Sequence, residues 1–354
     1  MSQEGVPAVV IDNGSHTIKA GLAVDEDPSN VFRSTVHLFE SAEGVTKKFG
    51  CLKPSTNGKP VFPIVRGNSY DWDALEAVWE YTLLDVLKIA PEEHSVLLTE
   101  RPLNGRANRE KAIQVMFEKL STPATYLSMQ ALLALYAAGR TSGTVVDVGD
   151  GLTSVVPIYK NTPVKEAIVN VALAGCDMVD YLAGVLKTND HEIAREVFEK
   201  VCEVSASPTK ETVAPVEFKT TNGTSVSLGA ERFRCAEAMF EPAAIGHQQG
   251  RALPELIVET VTSCNEPARK DLYANIVLAG GSTMVCGFPE RLEKELSSRV
   301  PAPSRCKVVA PQNRTWSVWT GGCLLASSSA FDQLWITKAE YEEVGVDIVH
   351  RKCV

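Results

Sequence analysis

The sequence predicts an α/β fold with two related domains. Short apolar runs closed by turn residues alternate with longer segments of helical periodicity, which is typical of strands and helices packed in layers. Two stretches, VVIDNGSHTIKAG at 9–21 and TVVDVGDGLTSVVPIY at 144–159, each place Asp, any residue and Gly between two apolar runs. Such a recurrence indicates a duplicated domain. The 354 residues are enough for two domains, each with its own core.

The elements of the first half follow from local patterns. Apolar runs flank the turn dipeptide Asn13-Gly14, and apolar residues recur at helical spacing after a capping Asp71. Phe39–Pro63 is polar and rich in Gly, Lys and Pro, so it is predicted to form loops with one short strand at most. The predicted strands are Val9–Ile11, His16–Ala23 and Ser95–Glu100, and the predicted helices are Asp71–Leu87, Asn108–Leu120 and Tyr126–Ala138, the last ended by Gly139.

The second half continues the alternation of strands and helices. The 144–159 stretch is predicted to be a hairpin, and Pro215–Leu228 is a second one that turns at Asn222-Gly223. The other predicted strands are Ala274–Leu278 and Lys307–Ala310, and the predicted helices are Ala174–Leu186, His191–Val204, Pro254–Ser263, Pro289–Val300 and Gly321–Ala330.

Composition excludes several classes of function. The formal net charge is −9, which disfavours general attraction to nucleic acid or to anionic membranes. No apolar run approaches the roughly 20 residues of a membrane span, and MSQEGVPAVV lacks the features of a secretory signal. Nine scattered cysteines without a C-x-x-C motif indicate reduced thiols in the cytoplasm, with Cys286 and Cys353 expected at the surface. Six dispersed histidines predict no zinc site.

The first hairpin carries groups that suit a terminal phosphate. Gly14 permits a turn that lines up backbone N–H groups, while Ser15 offers a hydroxyl and Lys19 a cation. His16 is expected to face solvent. A plain hairpin turn remains the alternative for one such motif taken alone.

The second hairpin repeats the pattern of the first. Two matched hairpins are much less expected by chance than one, which weakens the alternative of a plain turn. Gly149 and Gly151 offer bare amides around Asp150, and Asp12 and Asp147 each end an incoming strand. Two carboxylates facing phosphates repel unless a cation intervenes, and Mg²⁺ suits such a site because it keeps several waters.

The third glycine cluster follows the predicted strand Ala274–Leu278. Glycines in Gly280–Met284 would let a purine approach the backbone closely. An ordinary strand-to-helix turn is the alternative.

Longer blocks of the sequence resemble actin and the actin-related proteins over nearly the whole chain. The matching blocks are IDNGSHTIKAGLA, WEYTLLDVLKIAPEEHSVLLTERPLN, ANREK, VVDVGDGLTSVVPIY, ERFRC, RKDLYANIVLAGGSTM, SVWTGG and IVHRKC. The resemblance implies the actin-like ATPase fold, two ribonuclease-H-like domains around a cleft for ATP or ADP with Mg²⁺ or Ca²⁺. It implies a first domain at 1–137 plus 317–354 and a second at 138–316, with shortened upper subdomains at 34–62 and 174–248.

The resemblance also assigns roles to residues. Gln130 would position the water that attacks the γ-phosphate, and Asp12, Gln130 and Asp147 would hold the metal mostly through water. The cofactor-binding residues would be Asp12, Gly14, Ser15, Lys19, Asp147, Gly149, Asp150, Gly151, Arg195, Glu199, Gly280, Gly281, Ser282 and Met284.

Several departures from actin bear on hydrolysis. Val148 stands where actins have Ser, and Ser154 stands where they have a His that orders the attacking water. Phe198 and Thr315 replace two lysines at the nucleoside edge, where Phe198 is expected to be able to stack on a purine. Because phosphoryl transfer depends on positioning and electrostatics, these losses predict nucleotide binding with slow or no hydrolysis.

Other departures bear on assembly. The segment 32–67 is shorter than in actins, the segment 181–232 is shortened too, and AIGHQQ at 244–249 replaces a more apolar plug. Losing several filament contacts at once argues against an ordinary homopolymer. A lower groove near Tyr136 and Leu334 resembles the one in which actin binds apolar helices, although packing of the domain alone would also explain these residues.

The resulting hypothesis is a cytoplasmic, cytoskeletal subunit that binds ATP or ADP and serves as a structural or adaptor part of a larger cytoskeletal or motor assembly. It predicts at most a slow ATPase, no direct nucleic-acid partner and no membrane span. The alternative is a divergent actin that polymerises and hydrolyses ATP. A small-molecule kinase of the same superfamily is a third class, which would need an acidic base and a substrate pocket.

Overall fold

The computed structural model describes residues 5–41, 44–50, 58–67, 69–205 and 213–353. The chain divides into two compact units. Unit 1 comprises Met1–Gly139 with Trp316–Val354, and unit 2 comprises Arg140–Thr315. The shortened upper subdomains predicted at 34–62 and 174–248 fall partly outside the described residues.

The described residues form the following strands and α-helices. The strands are β1 Val9–Asn13, β2 Thr17–Leu22, β3 Asn30–Ser41, β4 Gly44–Gly50, β5 Lys59–Val61, β6 Ile64–Val65, β7 Ser69–Tyr70, β8 Val96–Glu100, β9 Ala124–Met129, β10 Gly143–Val148, β11 Thr153–Tyr159, β12 Thr162–Pro163, β13 Val169–Val171, β14 Val216–Lys219, β15 Ser225–Leu228, β16 Ile276–Ala279, β17 Val308–Val309 and β18 Ile336–Thr337. The α-helices are α1 Trp72–Tyr81, α2 Arg106–Gln114, α3 Gln130–Ala137, α4 Gly175–Leu186, α5 His191–Val201, α6 Glu231–Glu237, α7 Leu253–Thr262, α8 Glu266–Ala274, α9 Phe288–Arg299, α10 Ser317–Ala326, α11 Lys338–Val344 and α12 Ile348–Lys352.

The main sheet of unit 1 has the strand order β18-β9-β8-β1-β2-β3-β4, with β5 also paired to β3. Strands β1, β8 and β9 run parallel, while β1–β2 and β2–β3 are antiparallel. Parallel strands are buried on both faces, which explains why nearly every residue of β1, β8 and β9 is buried. Their carboxyl ends therefore meet at one edge of the sheet.

Helices α3 and α10 cover the parallel strands of unit 1. Trp319 on α10 is fully buried and its indole N–H donates to the Val10 carbonyl at 3.1 Å. Gly321 on the same helix lies against the backbone of Leu133 on α3 so closely that a Cβ atom would be 1.9 Å from the Leu133 oxygen. Glycine at this position lets the two helix backbones touch.

The sheet of unit 2 has the order β12-β11-β10-β16-β17, with β13 also paired to β11. The β10–β11 pair is antiparallel, whereas β10–β16 and β16–β17 are parallel. The same directions relate β2, β1, β8 and β9 in unit 1. The two units therefore repeat one strand topology, as the paired hairpin motifs predicted.

One predicted helix was wrong in its first half. Tyr126–Ala138 was predicted to be helical throughout, but Ala124–Met129 is a strand parallel to β8 and the helix begins at Gln130. Every residue of that strand is buried. A short strand buried on both faces has no period-2 pattern, so its apolar run resembles a buried helix. The predicted stop at Gly139 is confirmed by its positive φ of 65°.

The loop prediction for Phe39–Pro63 was also wrong. Within its described residues the chain forms the end of β3 and the strands β4 and β5, all paired in the main sheet. Cross-strand pairing outweighs the weak strand propensity of its Gly, Lys and Pro residues. Helices α6, α8, α11 and α12 were not predicted, and the last predicted helix begins at Ser317 rather than Gly321.

The C-terminal cysteine lies inside unit 1, contrary to the expected surface position. Cys353 is 1% exposed and its sulfur accepts the Leu127 N–H at 3.3 Å. Arg109 donates to the Cys353 carbonyl at 2.6 Å, which fixes the end of α12 on the unit. Burial raises the pKa of the Cys353 thiol to about 12. Cys286 in unit 2 is exposed, as expected.

Alkylation should therefore distinguish the two cysteines. At pH 7.5 a maleimide should modify Cys286 within minutes, because it is exposed, and should leave Cys353 unmodified, because only the thiolate reacts and burial suppresses it. Peptide mass mapping of the labelled protein measures both sites, and labelling in urea serves as the control for full reactivity. Early modification of Cys353 in the folded protein would contradict this packing.

No helix within the described ranges is both long and apolar enough to cross a bilayer.

Candidate functional site

The turn between β1 and β2 in unit 1 spans Gly14–His16. A Cβ atom on Gly14 would lie 2.4 Å from the Thr17 carbonyl oxygen, so the turn requires glycine there. Pairing across the hairpin sets Asp12 opposite Lys19, and the Lys19 ammonium lies 3.4 Å from the Asp12 carboxylate. The cation and carboxylate thus stand beside a turn that offers backbone amides, an arrangement suited to a phosphate with an accompanying cation.

Asp12 is 3% exposed, and its carboxylate accepts hydrogen bonds from protein groups. Thr99, near the end of β8, donates its hydroxyl to Asp12 at 2.8 Å and accepts the Asn13 N–H at 3.0 Å. The Gln130 amide donates to the same Asp12 oxygen at 3.2 Å. The carboxyl ends of three parallel strands therefore supply Asn13, Thr99 and Gln130 to one cluster, because parallel strands end at the same sheet edge.

Gln130 is the first residue of α3, directly after β9. Its side-chain nitrogen also lies 3.4 Å from the Asn13 carbonyl oxygen. The side-chain oxygen of Asn13 accepts from the Trp79 indole at 2.8 Å, which ties α1 to the hairpin. The Gln130 amide is thus held by several acceptors at the start of a helix, where backbone N–H groups favour negative charge.

The second hairpin occupies the corresponding position in unit 2. Asp147 pairs with Ser154 across β10 and β11, so their side chains lie on the same face. The Gly149 N–H donates to the Leu152 carbonyl at 3.0 Å and closes the turn. Val148 is fully buried in the core of unit 2, on the face opposite Asp147.

The glycine turn after β16 packs directly on this hairpin. A Cβ atom on Gly280, where φ is +84°, would lie 2.4 Å from an Asp147 carboxylate oxygen and 2.3 Å from the Val148 carbonyl oxygen. Ser282 donates its hydroxyl to the Gly149 carbonyl at 3.1 Å. Arg314 is buried and donates to the Thr283 carbonyl at 2.8 Å, which holds the turn from the other side.

Helix α5 contributes a cation to the second hairpin. Arg195 donates to the Asp150 carboxylate at 2.7 Å, and both side chains are mostly buried. Glu199 follows one turn later on the same helix and is exposed, and Met284 is 42% exposed in the glycine turn. Phe198 was expected to be able to stack on a purine. That expectation was wrong, because its ring is 3% exposed and packs in the core of unit 2.

The sequence model of the actin family matches residues 3–194 and 187–354, which together cover nearly the whole chain. The chain belongs to the actin family. The resemblance and the two-domain actin-like fold inferred from the sequence are thereby confirmed.

In this actin-family chain the implied residues form two groups. Unit 1 brings together Asp12, Gly14, Ser15, Lys19 and Gln130 at the first hairpin. Unit 2 brings together Asp147, Gly149, Asp150, Gly151, Arg195, Gly280, Gly281 and Ser282 around the second hairpin and the glycine turn, with Glu199 and Met284 at its exposed margin.

Of the two departures from actin on the second hairpin, Val148 and Ser154, only Ser154 lies on the face of the sheet that carries Asp147. Val148 replaces the serine of actins, but its side chain packs in the core with its neighbours on β10, so it does not mark a missing phosphate contact. Ser154, which replaces the actin histidine, lies opposite Asp147 on the same face of the sheet. The absent imidazole is therefore the departure that bears on the site.

Sequence reasoning missed Thr99, Trp79 and the contact between His16 and Arg33. The ring Nδ1 of His16 lies 2.5 Å from an Arg33 guanidinium nitrogen, so the ring is bonded rather than simply facing solvent. A polar residue near the end of a buried strand was a usable signal for Thr99. Arg33 gave none, because its segment has no pattern that predicts pairing with β2.

One His-containing carboxylate cluster lies away from these hairpins, although dispersed histidines had predicted none. The ligand atoms of Glu110, Asp347 and His350 lie within 4.8 Å of one another. His350 bonds to Glu110 at 2.7 Å, and Arg106 forms ion pairs with Glu110 and Asp347. These contacts connect α12 to α2.

Proposed function

We propose that this actin-family chain binds a nucleoside triphosphate or diphosphate with a divalent cation, through the first hairpin and through the second hairpin with the glycine turn. The observation that carries the proposal is the duplicated site: each unit has an aspartate near the end of a strand that is parallel to one neighbour and antiparallel to the next. Each aspartate stands beside a turn with a crowded glycine: an added Cβ atom would lie 2.4 Å from the Thr17 oxygen at Gly14 and 3.3 Å from the Leu152 oxygen at Gly149.

The residues fit a phosphate and a hard cation. Asp12 offers carboxylate oxygens beside the Lys19 cation, and the Gln130 amide restrains the carboxylate from the other side. Oxygen ligands of this kind suit Mg²⁺, which retains waters and needs few carboxylates. When bound, the cation would offset the negative charge of the phosphates. In unit 2, Asp147 offers the corresponding carboxylate beside the turn that the Gly149 N–H closes.

Slow or absent hydrolysis is part of the proposal. Gln130 is bonded to Asp12 and Asn13 and would orient an attacking water only from that fixed position. Ser154 supplies a short hydroxyl where the family has an imidazole that orders the same water. Since the protein contributes mainly positioning in phosphoryl transfer, a shorter side chain at this point supports binding more than turnover.

The proposed role is that of a structural or adaptor subunit in a larger cytoplasmic, cytoskeletal or motor assembly. Unit 1 exposes large apolar side chains at Leu324 and Leu334, which are 56% and 43% exposed, and Tyr136 is half-buried. Apolar helices of partner proteins bind to such surfaces. A charge placed at Tyr136 should release a partner bound there, and an unchanged assembly would count against this part of the proposal.

Binding of Mg-ATP to the purified chain tests the nucleotide site. Lys19→Met should raise the dissociation constant about ten- to hundredfold, because one charge-assisted bond to phosphate is lost. The matched control is Lys47→Met, which removes an exposed lysine from β4 in the same unit and should leave the affinity unchanged. Calorimetry measures both, with thermal unfolding to verify the fold.

Phosphate release and pelleting separate the proposal from the polymerising alternative. The wild-type chain should bind Mg-ATP, release phosphate far more slowly than filament-forming actin, and stay in the supernatant. Brisk release together with pelleting would favour a divergent polymerising actin. Equal affinities in wild type and Lys19→Met would overturn the assignment of the first hairpin.

A further inference from the structure

A histidine and two carboxylates meet where α12 packs on α2 in unit 1. His350 on α12 and Glu110 on α2 are 240 residues apart in the chain, and the His350 Nε2 lies 2.7 Å from a Glu110 oxygen. Asp347 precedes His350 by three residues, so the two side chains share one face of the helix. One ligand atom from each of the three residues lies within 4.8 Å of the other two. Spacing along the sequence could not reveal this cluster, because folding alone brings Glu110 to α12.

Within the described residues, the carboxylates of the cluster make only weak contacts outside it. Asp347 occupies the N-cap position of α12, yet its side chain makes no capping bond to the described backbone of that helix, 348–352. The Asp347 carboxylate contacts Arg106 at 3.5 Å, and Glu110 contacts Arg106 at 3.9 Å. Both distances exceed those of good hydrogen bonds, and the Arg106 side chain is 70% exposed. Exposed ion pairs of this kind contribute little to stability, so an incoming cation can displace Arg106.

The spacing of the three groups suits one tetrahedral ion. Zn²⁺ binds nitrogen and oxygen ligands at about 2.0–2.2 Å, so two ligand atoms of a tetrahedral ion are about 3.4 Å apart. The 2.7 Å contact and the 4.8 Å limit lie on either side of this distance. Small rotations of the carboxylates would therefore complete the set, with water as the fourth ligand. Mg²⁺ and Ca²⁺ prefer oxygen ligands alone, so the imidazole favours Zn²⁺.

The ring nitrogen that faces Glu110 must give up its proton for the ion to bind. An ionised carboxylate only accepts hydrogen bonds, so Nε2 of His350 donates to Glu110 and carries a proton in this contact. Zn²⁺ would replace that proton at Nε2, and the proton would pass to Nδ1 or to water. Arg109, the cation next to Glu110 in the chain, is engaged by Glu100 at 2.9 Å, so its charge is already balanced.

We propose that Glu110, Asp347 and His350 form a zinc site that anchors α12 on α2. Arg106 serves as the counter-ion of the carboxylates when zinc is absent and moves away when zinc binds. Because zinc binds the folded set more tightly than the unfolded chain, it stabilises the contact between the two helices. The site consists of residues of unit 1 and needs no nucleotide, so it stands independently of the proposed function.

Calorimetry with Zn²⁺ on the full chain tests the site. The parent chain carries Cys286→Ser, so that this exposed thiol does not take up the ion, and a chelator removes metal beforehand. His350→Gln and Asp347→Asn should each weaken zinc binding about 10–100-fold or more, since even the loss of a residue that only orients a ligand costs that much. The matched control His191→Gln removes a histidine that lies 3.1 Å from the Asp180 carboxylate but belongs to no three-residue cluster of the described chain. It should leave the affinity unchanged.

Arg106→Met separates a metal site from a plain contact between helices. It should tighten zinc binding about two- to fivefold, because it removes the cation that competes for the carboxylates. Zn²⁺ should raise the thermal unfolding midpoint of the parent chain but not that of Asp347→Asn, whose side chain is 66% exposed and can change without disturbing the core. Co²⁺ in place of Zn²⁺ should give the visible absorption of a four-coordinate site in the parent chain and not in Asp347→Asn.

Equal zinc affinities in the parent chain, His350→Gln and Asp347→Asn would overturn the inference, as would an unfolding midpoint that does not respond to zinc. Weaker zinc binding in Arg106→Met would also contradict it, because the arginine would then support the site and not compete for it. If Mg²⁺ gave the same shift of the midpoint, with the same dependence on Asp347, the choice of zinc would be wrong.

Discussion

Gly321→Ala should destabilise unit 1 by about 3 kcal/mol or more, the upper range for overpacking a buried contact. The added methyl would lie 1.9 Å from the Leu133 oxygen and 2.5 Å from the Leu133 carbonyl carbon. Both are backbone atoms, so no change of rotamer relieves the overlap and α10 must move away from α3. That movement would strain the Trp319 bond to Val10 and the start of α3 at Gln130.

Urea denaturation measures the effect. Each of the five tryptophans lies in unit 1, at positions 72, 79, 316, 319 and 335, so their fluorescence reports that unit. The matched control is Gly184→Ala in α4, another helical glycine, which has no atom within 4 Å of its added Cβ. Gly184→Ala should stabilise unit 2 by up to about 1 kcal/mol, because alanine favours the helix more than glycine does. Circular dichroism measures the unfolding of this variant. A wild-type midpoint for Gly321→Ala would contradict the close helix crossing.

Arg291→Met should destabilise unit 2 by about 3–5 kcal/mol, the usual cost of leaving one partner of a buried ion pair without the other. The Arg291 side chain is 3% exposed and bonds to both oxygens of Glu237, at 2.6 and 3.1 Å. It also donates to the Ser205 carbonyl at 2.9 Å and to Glu295 at 2.9 Å. One side chain thus connects α9, α6 and the segment after α5.

The loss should depend on pH in a stated direction. Burial raises the pKa of Glu237 above 4.5, and Arg291 opposes that rise, so the variant should raise the pKa further. A carboxyl group whose pKa is higher in the folded than in the unfolded state contributes its full stability at pH values below its unfolded-state pKa. That contribution is lost as the pH rises through its folded-state pKa. The cost of Arg291→Met should therefore be smaller at pH 4.5 than at pH 7.5.

Two further variants isolate the buried charge. Arg291→Met combined with Glu237→Gln removes both charges and should recover much of the loss, since a buried pair is often replaceable by neutral groups. Arg299→Met, at the more exposed end of the same helix, should cost less than about 1 kcal/mol. Equal destabilisation at both pH values would show that lost packing, not the uncompensated carboxylate, dominates.

Glycine turns and helix caps could be predicted from the sequence, because they depend on residues that are close together in the chain. The turns at Gly14 and Gly280 leave no room for a Cβ atom, and Gly280 also has a positive φ, so glycine at these turns was a signal visible in the sequence. The capping role of Asp71 is confirmed by its bond to the Ala74 N–H at 3.0 Å. The strand Ala124–Met129 was not predictable in the same way, because burial on both faces erases the alternating pattern.

The α/β class, the duplicated hairpins and the actin-family resemblance could all be inferred from the amino-acid sequence, as could the candidates for phosphate and metal, Asp12, Lys19 and Asp147. The core position of Val148 and the contact between Arg33 and His16 emerge only from the folded structure. The physical reason is that turns and helix caps depend on neighbours in the chain, whereas burial and cross-strand contacts depend on residues that folding alone brings together.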